Sequence, residues 1–539
     1  ITISKETLSD HQILALCLYG SQASGYARKN SDIDVLVIVE DFSPGVRYYY
    51  QSSDVQEFAI LAVGKDAFEA DAKNGNMGDF VAGRLLTPFI PLVNADYVYS
   101  MEFHIKRRFA EEDLEDLVIE FGELARGLLI KPDFLILTRM VKRSRAYPPL
   151  KYSYVNMLRP DLKRQNMVSI LQRYDQVIND LQKSKIVNVS NGLFSLNDYF
   201  IDKVLSYKIL HKVVNLMDSG RRTVYSYLTH GRAGRVGIDV IAKELASKVK
   251  REISTTLANQ HLEDPKRYLF LKTERGMLNL NERDAIIERV SRIRKNKEIE
   301  ARPLAGALNE VYLITVESEQ LVAKKYTDWY NLKWFLLNIV TYGTKLFHLS
   351  GKTRLSNEYV TNQLLAENDL PVPEIISISL EDRLLIQQYI RGNSMVDLVK
   401  NTFKATKLSE SQYESAYNIG CLIAQIHELN ISMGDCKPEN FIEDLDGKIY
   451  AVDLEQGERY GDKGWDLAEF LYFSGHYGPS ITKGFQQFLM ALLSGYTSLG
   501  SQEVLRKAAE LRYARIFFPW TPLPVIQSTA MILKKYVSG

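Results

Sequence analysis

Apolar and polar positions along this chain follow three different patterns in succession. The first sets short apolar runs between polar turns. Residues 13–18, 33–39 and 55–63 predict strands, and residues 112–128 predict a helix. Strands with helices between them imply an α/β domain over residues 1–130. The second pattern covers residues 131–297. Residues 167–183 predict an amphipathic helix with Val168, Leu171, Val177 and Leu181 on one face. Residues 186–189 and 193–196 flank Asn191-Gly192, the pair a two-residue primed turn requires, so a β-hairpin is predicted there. A helix followed by a hairpin is how a winged helix ends. Residues 197–250 are mostly helical in pattern, and a charged helix over 281–297 leads onward. The third pattern, residues 298–539, opens with strands at 311–316 and 320–325 and turns to helices, which implies two lobes. The expected fold class is therefore multidomain α/β and α+β.

Composition changes this picture only locally. The 539 residues are 46% hydrophobic and 25% charged with a net charge of +1, so no global charge argues for nucleic acid. Residues 131–164 depart from that balance, with nine Lys/Arg against Asp133 and Asp161. Lys142, Arg143, Arg145, Lys151, Arg159, Lys163 and Arg164 are the candidate RNA contacts, with Tyr147, Tyr152 and Tyr154 interleaved. Such a mixture suits a phosphate backbone with stacking bases, although a solvated helical face has the same composition. Further basic residues follow at Arg221, Arg222, Arg232 and Arg235. Cys17, Cys421 and Cys436 are far apart and in no metal-ligand spacing, which fits a reducing compartment. No basic-then-apolar leader and no run of 18 apolar residues occur, so a cytoplasmic location without a membrane partner is expected.

The densest chemistry lies at Gly434-Asp435-Cys436-Lys437-Pro438-Glu439-Asn440 and Val452-Asp453-Leu454-Glu455. Phosphoryl transfer from ATP needs one carboxylate to orient or accept the alcohol proton and a Lys to neutralise the moving phosphoryl. It also needs an Asn and a second Asp for Mg2+. Asp435 and Lys437 take the first two roles; Asn440 and Asp453 take the metal roles. A strand Lys must contact the α/β-phosphates. Alternation puts Lys324 with Val322 on one face and Lys325 on the other, and favours Lys324. Its helix partner is Glu358. Gly306 marks a phosphate-covering loop, with one Gly where three are usual. Gln388, Tyr389 and Ile390 end a strand where a hinge would present backbone groups to adenine.

This region resembles atypical kinases of the RIO and KEOPS-complex type and, more distantly, aminoglycoside phosphotransferases. The run Asp462-Lys463-Gly464-Trp465-Asp466-Leu467 resembles the stretch whose Asp braces the catalytic loop from a following helix, which gives Asp466 a structural role. His427 is expected to pack against that loop. Glu455 stands where a Gly is usual and suggests a rigid metal-binding turn. No Ala-Pro-Glu triplet follows, and six residues separate Glu455 from Asp462, which argues against peptide docking and activation-loop control.

Gly20-Ser21 followed by Ser31-Asp32-Ile33-Asp34 resembles the polymerase-β nucleotidyltransferase superfamily. There the Gly-Ser turn meets a triphosphate, and two carboxylates at i and i+2, with a third on a neighbouring strand, hold two divalent metals. Asp54 and Glu57 are the candidates for the third, Glu57 having the better strand placement. The site is either active or vestigial, a platform that holds RNA. The whole arrangement resembles archaeal RNA kinases that phosphorylate an internal 2′-hydroxyl of transfer RNA. The implied cofactors are ATP and Mg2+ and the implied partner is RNA. Three alternatives stay open at this point: a protein Ser/Thr kinase with an RNA-binding half, an RNA nucleotidyltransferase, and an RNA-binding scaffold.

Overall fold

The structure is a computed structural model that describes residues 2–8, 11–29, 31–43, 45–52, 56–146, 149–206, 262–281, 301–304, 309–316, 319–328 and 345–538. Asp54, Tyr147, Gly306 and the four arginines at 221, 222, 232 and 235 lie outside these residues. So do the helical patterns over most of 197–250 and 281–297. The chain forms two compact units: Ile1–Phe121 with Leu128–Phe270, and Gly122–Gly127 with Leu271–Gly539.

Unit 1 starts with α1 (Thr2–Thr7) and is built on strands β1 (Ile13–Tyr19), β2 (Ile33–Val39), β3 (Val46–Ser52), β4 (Glu57–Gly64) and β5 (Ile90–Val93). Their order is β3-β4-β2-β1-β5, with β2 and β4 parallel and the other pairs antiparallel. The central strands are apolar on both faces because both are covered. Cys17, Leu36, Ile38 and Leu61 pack with Phe68 and Ile105 on one side. Leu16, Val37, Ile60 and Ala62 pack with Leu8 and Phe42 on the other. The short turn helix α2 (Gly20–Ala23) follows β1, and α3 (Lys65–Asn74) follows β4.

Helix α4 (Ala95–Phe121) is longer than the pattern at 112–128 suggested and ends earlier. Its buried face includes Glu102 and Lys106, a one-turn ion pair at 2.6 Å, which breaks the apolar period on which the prediction relied. β6 (Leu128–Ile130), α5 (Asp133–Ala146), α6 (Pro149–Met157) and α7 (Lys163–Lys183) come next. The hairpin β7 (Val187–Ser190) and β8 (Leu193–Leu196) turns through Asn191 at φ 50° and Gly192 at φ 76°, the two left-handed positions of a primed turn. β8 lies between β6 and β7, and α8 (Asp198–Ser206) follows. The buried face of α7 is Met167, Ile170, Tyr174, Val177, Ile178 and Leu181. Val168, expected on that face, is 63% exposed. The stripe runs one residue before it.

β9 (Leu269–Thr273) spans the boundary and β10 (Gly276–Asn279) follows. Unit 2 holds an antiparallel sheet of β11 (Ala301–Pro303), β12 (Glu310–Val316), β13 (Glu319–Lys325), β14 (Ile375–Ser379) and β15 (Leu384–Gln388), ordered β11-β12-β13-β15-β14. Helix α9 (Gly351–Glu367) is capped by the Ser350 side chain. The rest is mainly helical: α10 (Met395–Thr402), α11 (Glu410–Glu428), α12 (Lys463–Ser474), α13 (Lys483–Leu499), α14 (Gln502–Ala508), α15 (Leu511–Ile516) and α16 (Leu523–Ser538). Between them lie β16 (Gly392–Ser394), β17 (Ile431–Ser432), β18 (Phe441–Asp444), β19 (Ile449–Ala451) and β20 (Glu458–Arg459). One apolar core, from Ile423 and Phe441 to Trp465, Phe488 and Leu533, unites these helices.

Helices α11 and α13 approach through two glycines. A Cβ on Gly420 would lie 2.0 Å from the Leu492 carbonyl oxygen, and one on Gly495 would lie 1.9 Å from that of Tyr417. Backbone cannot yield as a side chain can. Gly420→Ala is therefore expected to lower the stability of unit 2 by about 1–3 kcal/mol, the usual cost of overpacking. Urea unfolding followed through the buried Trp465 measures it, and an unchanged midpoint would refute the close crossing.

Candidate active site

Lys324, on β13, is 6% exposed. Its Nζ lies 2.6 Å from Glu358 Oε1 on α9 and 3.1 Å from Asp453 Oδ1. The Tyr326 hydroxyl donates to the other Glu358 oxygen at 2.7 Å. Burial alone would lower the Lys324 pKa, but Asp453 and Glu358 outweigh it and hold the ammonium above its ordinary value. Burial pushes the Glu358 carboxyl up against the pull of Lys324. Lys325 is only half-buried. Asp453 sits at φ 61°, a left-handed backbone that a residue with a Cβ adopts at a cost and that recurs at functional turns.

Glu455 completes an acidic group with Glu358 and Asp453, all within 4.8 Å of one another through their oxygens. Sequence inspection marked Glu455 as unusual but could not supply its partners. The Arg354 guanidinium, 0% exposed, reaches Glu455 Oε2 at 2.9 Å and Asn309 Oδ1 at 2.7 Å. Asn309 Nδ2 donates to the same Glu455 oxygen at 2.6 Å. Burial and the Asp453 carboxylate push the Glu455 carboxyl up to about 8, with Arg354 opposing. Asn309, Tyr326 and Arg354 carry no motif signal; each is recognisable only once β12, β13 and α9 are in place.

Asp435 and Lys437 are in direct ionic contact, and Lys437 Nζ lies 3.8 Å from Glu469. Burial disfavours the charged Lys437, but Asp435 and Glu469 raise its pKa on balance. Asn440 donates to the Asp435 carbonyl at 2.7 Å and to its carboxylate at 3.3 Å. The Val452 N–H donates to the Asn440 carbonyl at 2.8 Å, which ties this loop to the strand that delivers Asp453. Asp466 is fully buried and accepts the N–H groups of Met433 at 2.6 Å and Gly434 at 2.8 Å. His427 bridges Asp466 at 3.1 Å and the Tyr496 hydroxyl at 2.8 Å. Gly434, at φ 71°, has no room for a Cβ: the Gln456 carbonyl oxygen would be 2.2 Å away.

Gln388, Tyr389 and Ile390 line a cavity of about 300 Å³ with Gln320, Asp444 and Tyr450. The Gln388 N–H donates to the Glu374 carbonyl at 2.9 Å. Beyond Asp453 the chain is held from several sides. Gln456 accepts the His348 N–H at 2.8 Å, Glu458 meets Lys345 at 3.2 Å and His348 at 2.8 Å, and β20 pairs with β17. Asp462 then caps α12 and accepts the Tyr513 hydroxyl at 2.5 Å.

In unit 1, Asp34 lies directly beneath the Gly20 turn, whose Cβ position is 2.2 Å from Asp34 Oδ2. Ser21 follows in α2. Asp32 and Glu57 are exposed. Among the described residues, Asp32, Asp34 and Glu57 do not gather as Glu358, Asp453 and Glu455 do. Several of the basic residues singled out by composition are committed to internal contacts. Lys142 pairs with Asp113 at 2.7 Å and with Asp116. Arg143 donates to the carbonyls of Gly83 and Asp79 and to the Tyr154 hydroxyl. Arg159 pairs with Asp161 and Lys163 with Glu263. Arg145 and Arg164 are exposed and Lys151 is partly so.

Residues 3–63 match the family described as Polymerase beta, Nucleotidyltransferase. A stretch of 153 residues is 26% identical to a probable bifunctional tRNA threonylcarbamoyladenosine biosynthesis protein of Methanocaldococcus jannaschii. That stretch is 28% of this chain and 25% of the relative, so the chain spans about a quarter of that protein's length. A microcompartment-associated aminopropanol kinase aligns in structure over 47% of this chain and 96% of its own, at 10% identity. Its TM-score is 0.26, below the level at which a common fold follows.

The Arg354–Glu455 contact gives a direct test. Glu455→Ala leaves a fully buried guanidinium without its carboxylate and is expected to cost about 3–5 kcal/mol. Arg354→Met together with Glu455→Ala is expected to cost less than the two single changes added. Denaturant unfolding of the four proteins measures the coupling, and strict additivity would refute it.

Proposed function

We propose that the protein is an ATP-dependent kinase that transfers the γ-phosphate to a hydroxyl of RNA, namely an internal ribose 2′-hydroxyl of transfer RNA. The observation that carries this reading is Lys324 held between Glu358 and Asp453. A buried ammonium between a helix acid and a metal-turn acid is what the phosphates of ATP require. The donor set suits Mg2+, since Asn440 and Asp453 can offer it only oxygen from a carboxamide and a carboxylate. Bound Mg–ATP supplies the electrophilic γ-phosphoryl. Asp435 receives or orients the proton of the acceptor alcohol, and Lys437, already at that carboxylate, offsets charge on the transferring oxygens. Asn440 steadies Asp435, and Asp466 fixes the backbone that presents it.

An RNA acceptor is supported by the exposed Arg145 and Arg164 and by the order of elements from β6 through α5, α6 and α7 to the β7–β8 hairpin. A helix that leads into a hairpin, as α7 leads into β7 and β8, is how a winged helix ends. The transfer-RNA biosynthesis named for the Methanocaldococcus jannaschii relative points to the same substrate class. The clamped segment after Asp453 argues against a peptide acceptor.

The experiment uses γ-labelled ATP, magnesium and total transfer RNA. Label is expected inside intact RNA, resistant to phosphatase treatment of the ends, and absent with Asp453→Ala. Asp435→Ala is expected to lower turnover at least 100-fold, within the range general for acid–base groups, while ATP binding is kept. Label confined to protein would overturn the RNA assignment. A second test separates the basic residues. Arg145→Ala with Arg164→Ala is expected to weaken RNA binding and reduce the salt slope by roughly one to two. Arg143→Ala is expected chiefly to lower thermal stability, because its guanidinium holds two carbonyls and a phenol. An unchanged salt slope in the double variant would remove the RNA role from these positions.

A further inference from the structure

The polymerase-β resemblance calls for three carboxylates around two divalent ions, and the strand register of unit 1 tests that demand. Across the sheet, Tyr50 pairs with Ala59, Ala59 with Asp34, and Asp34 with Tyr19. Residues paired across a ladder share a face, so these four form one row. The position beside Asp34 on the neighbouring strand is therefore Ala59, a methyl group, and it is 3% exposed. Glu57, two residues earlier and so on the same face, pairs with Ser52 at the start of β4 and is exposed. Among the described residues no third acid joins Asp32 and Asp34. As placed, Asp32, Asp34 and Glu57 do not form the three-carboxylate group that a two-ion centre needs.

The same row ends in an aromatic edge. β3 reads Val46-Arg47-Tyr48-Tyr49-Tyr50-Gln51-Ser52 and is an edge strand of the sheet. Tyr50 is 70% exposed, and its ring stacks on Tyr48 at 5.9 Å and 16°. The Tyr48 hydroxyl accepts from Arg84 at 3.2 Å, and the Arg84 guanidinium lies 5.3 Å from the Tyr19 ring. A stacked, propped tyrosine on a strand edge is pre-organised to receive a planar base, since the ring is already held in one orientation.

We propose that unit 1 carries a base-stacking edge where the resemblance calls for a transfer centre: it binds single-stranded RNA on Tyr48 and Tyr50 and transfers no nucleotide. The stacking half rests on the RNA reading above; the absence of transfer does not. Three measurements on the full chain decide it. With α-labelled nucleotides and RNA, no incorporation is expected, whereas incorporation lost on Asp32→Asn would overturn the proposal. This readout is independent of γ-label transfer, so the two readings fail separately. Manganese titration by electron paramagnetic resonance is expected to give equal ion counts for the wild type and Asp32→Asn. Loss of ions in the variant would overturn it, and Ala59→Asp is expected to add binding. Tyr50→Ala, at an exposed position, is expected to weaken RNA binding roughly tenfold. Wild-type affinity in that variant would overturn the stacking edge.

Discussion

An ammonium group removed from water stays charged only if anions replace the solvent it loses. Lys324 meets that condition through Glu358 and Asp453, which arrive from a helix and from a turn more than a hundred residues downstream. Three pieces of backbone must therefore be correctly placed at once. β13 must present Lys324 inward, which its pairing with β12 and β15 determines. Helix α9 must begin where Ser350 caps it, so that Glu358 falls opposite. The turn after β19 must bend through a left-handed Asp453. Glu358 and Asp453 are organised around this charge.

The residues that surround it were legible in the sequence to different degrees. Asp435, Lys437, Asn440 and Asp453 stand at short, characteristic spacings, and the strand period selected Lys324 over Lys325. The β7–β8 hairpin was legible because Asn191-Gly192 suits only one kind of turn. Arg354 and Asn309 were not legible. Their importance comes from Glu455, 101 and 146 residues away, and no local pattern encodes a contact across such separation. Helix α4 was misread in its bounds because a buried Glu102–Lys106 pair looks polar in a one-dimensional pattern while behaving as core in three. Charge counting over 131–164 had the same weakness. It registered cations and not the acids of α4 that neutralise Lys142 and Arg139.

Unit 1 illustrates what a motif read along the chain does not contain. Gly20, Asp32 and Asp34 satisfy the motif, and Gly20 is required because its turn presses on Asp34. The register then places Ala59 beside that acid. A motif read along the chain has no access to the strand next door, so the neighbour of Asp34 becomes visible only in the ladder.

The segment after Asp453 has a wider consequence. Gln456, Glu458 and Asp462 are each held by partners on other elements, and Glu455 is held by Arg354 and Asn309. Loops that toggle are stabilised in two arrangements of comparable free energy. Here so many independent contacts favour one arrangement that a second would have to break them together. A segment anchored in this way fixes the geometry around Asp453 collectively, so loosening one anchor loads the others.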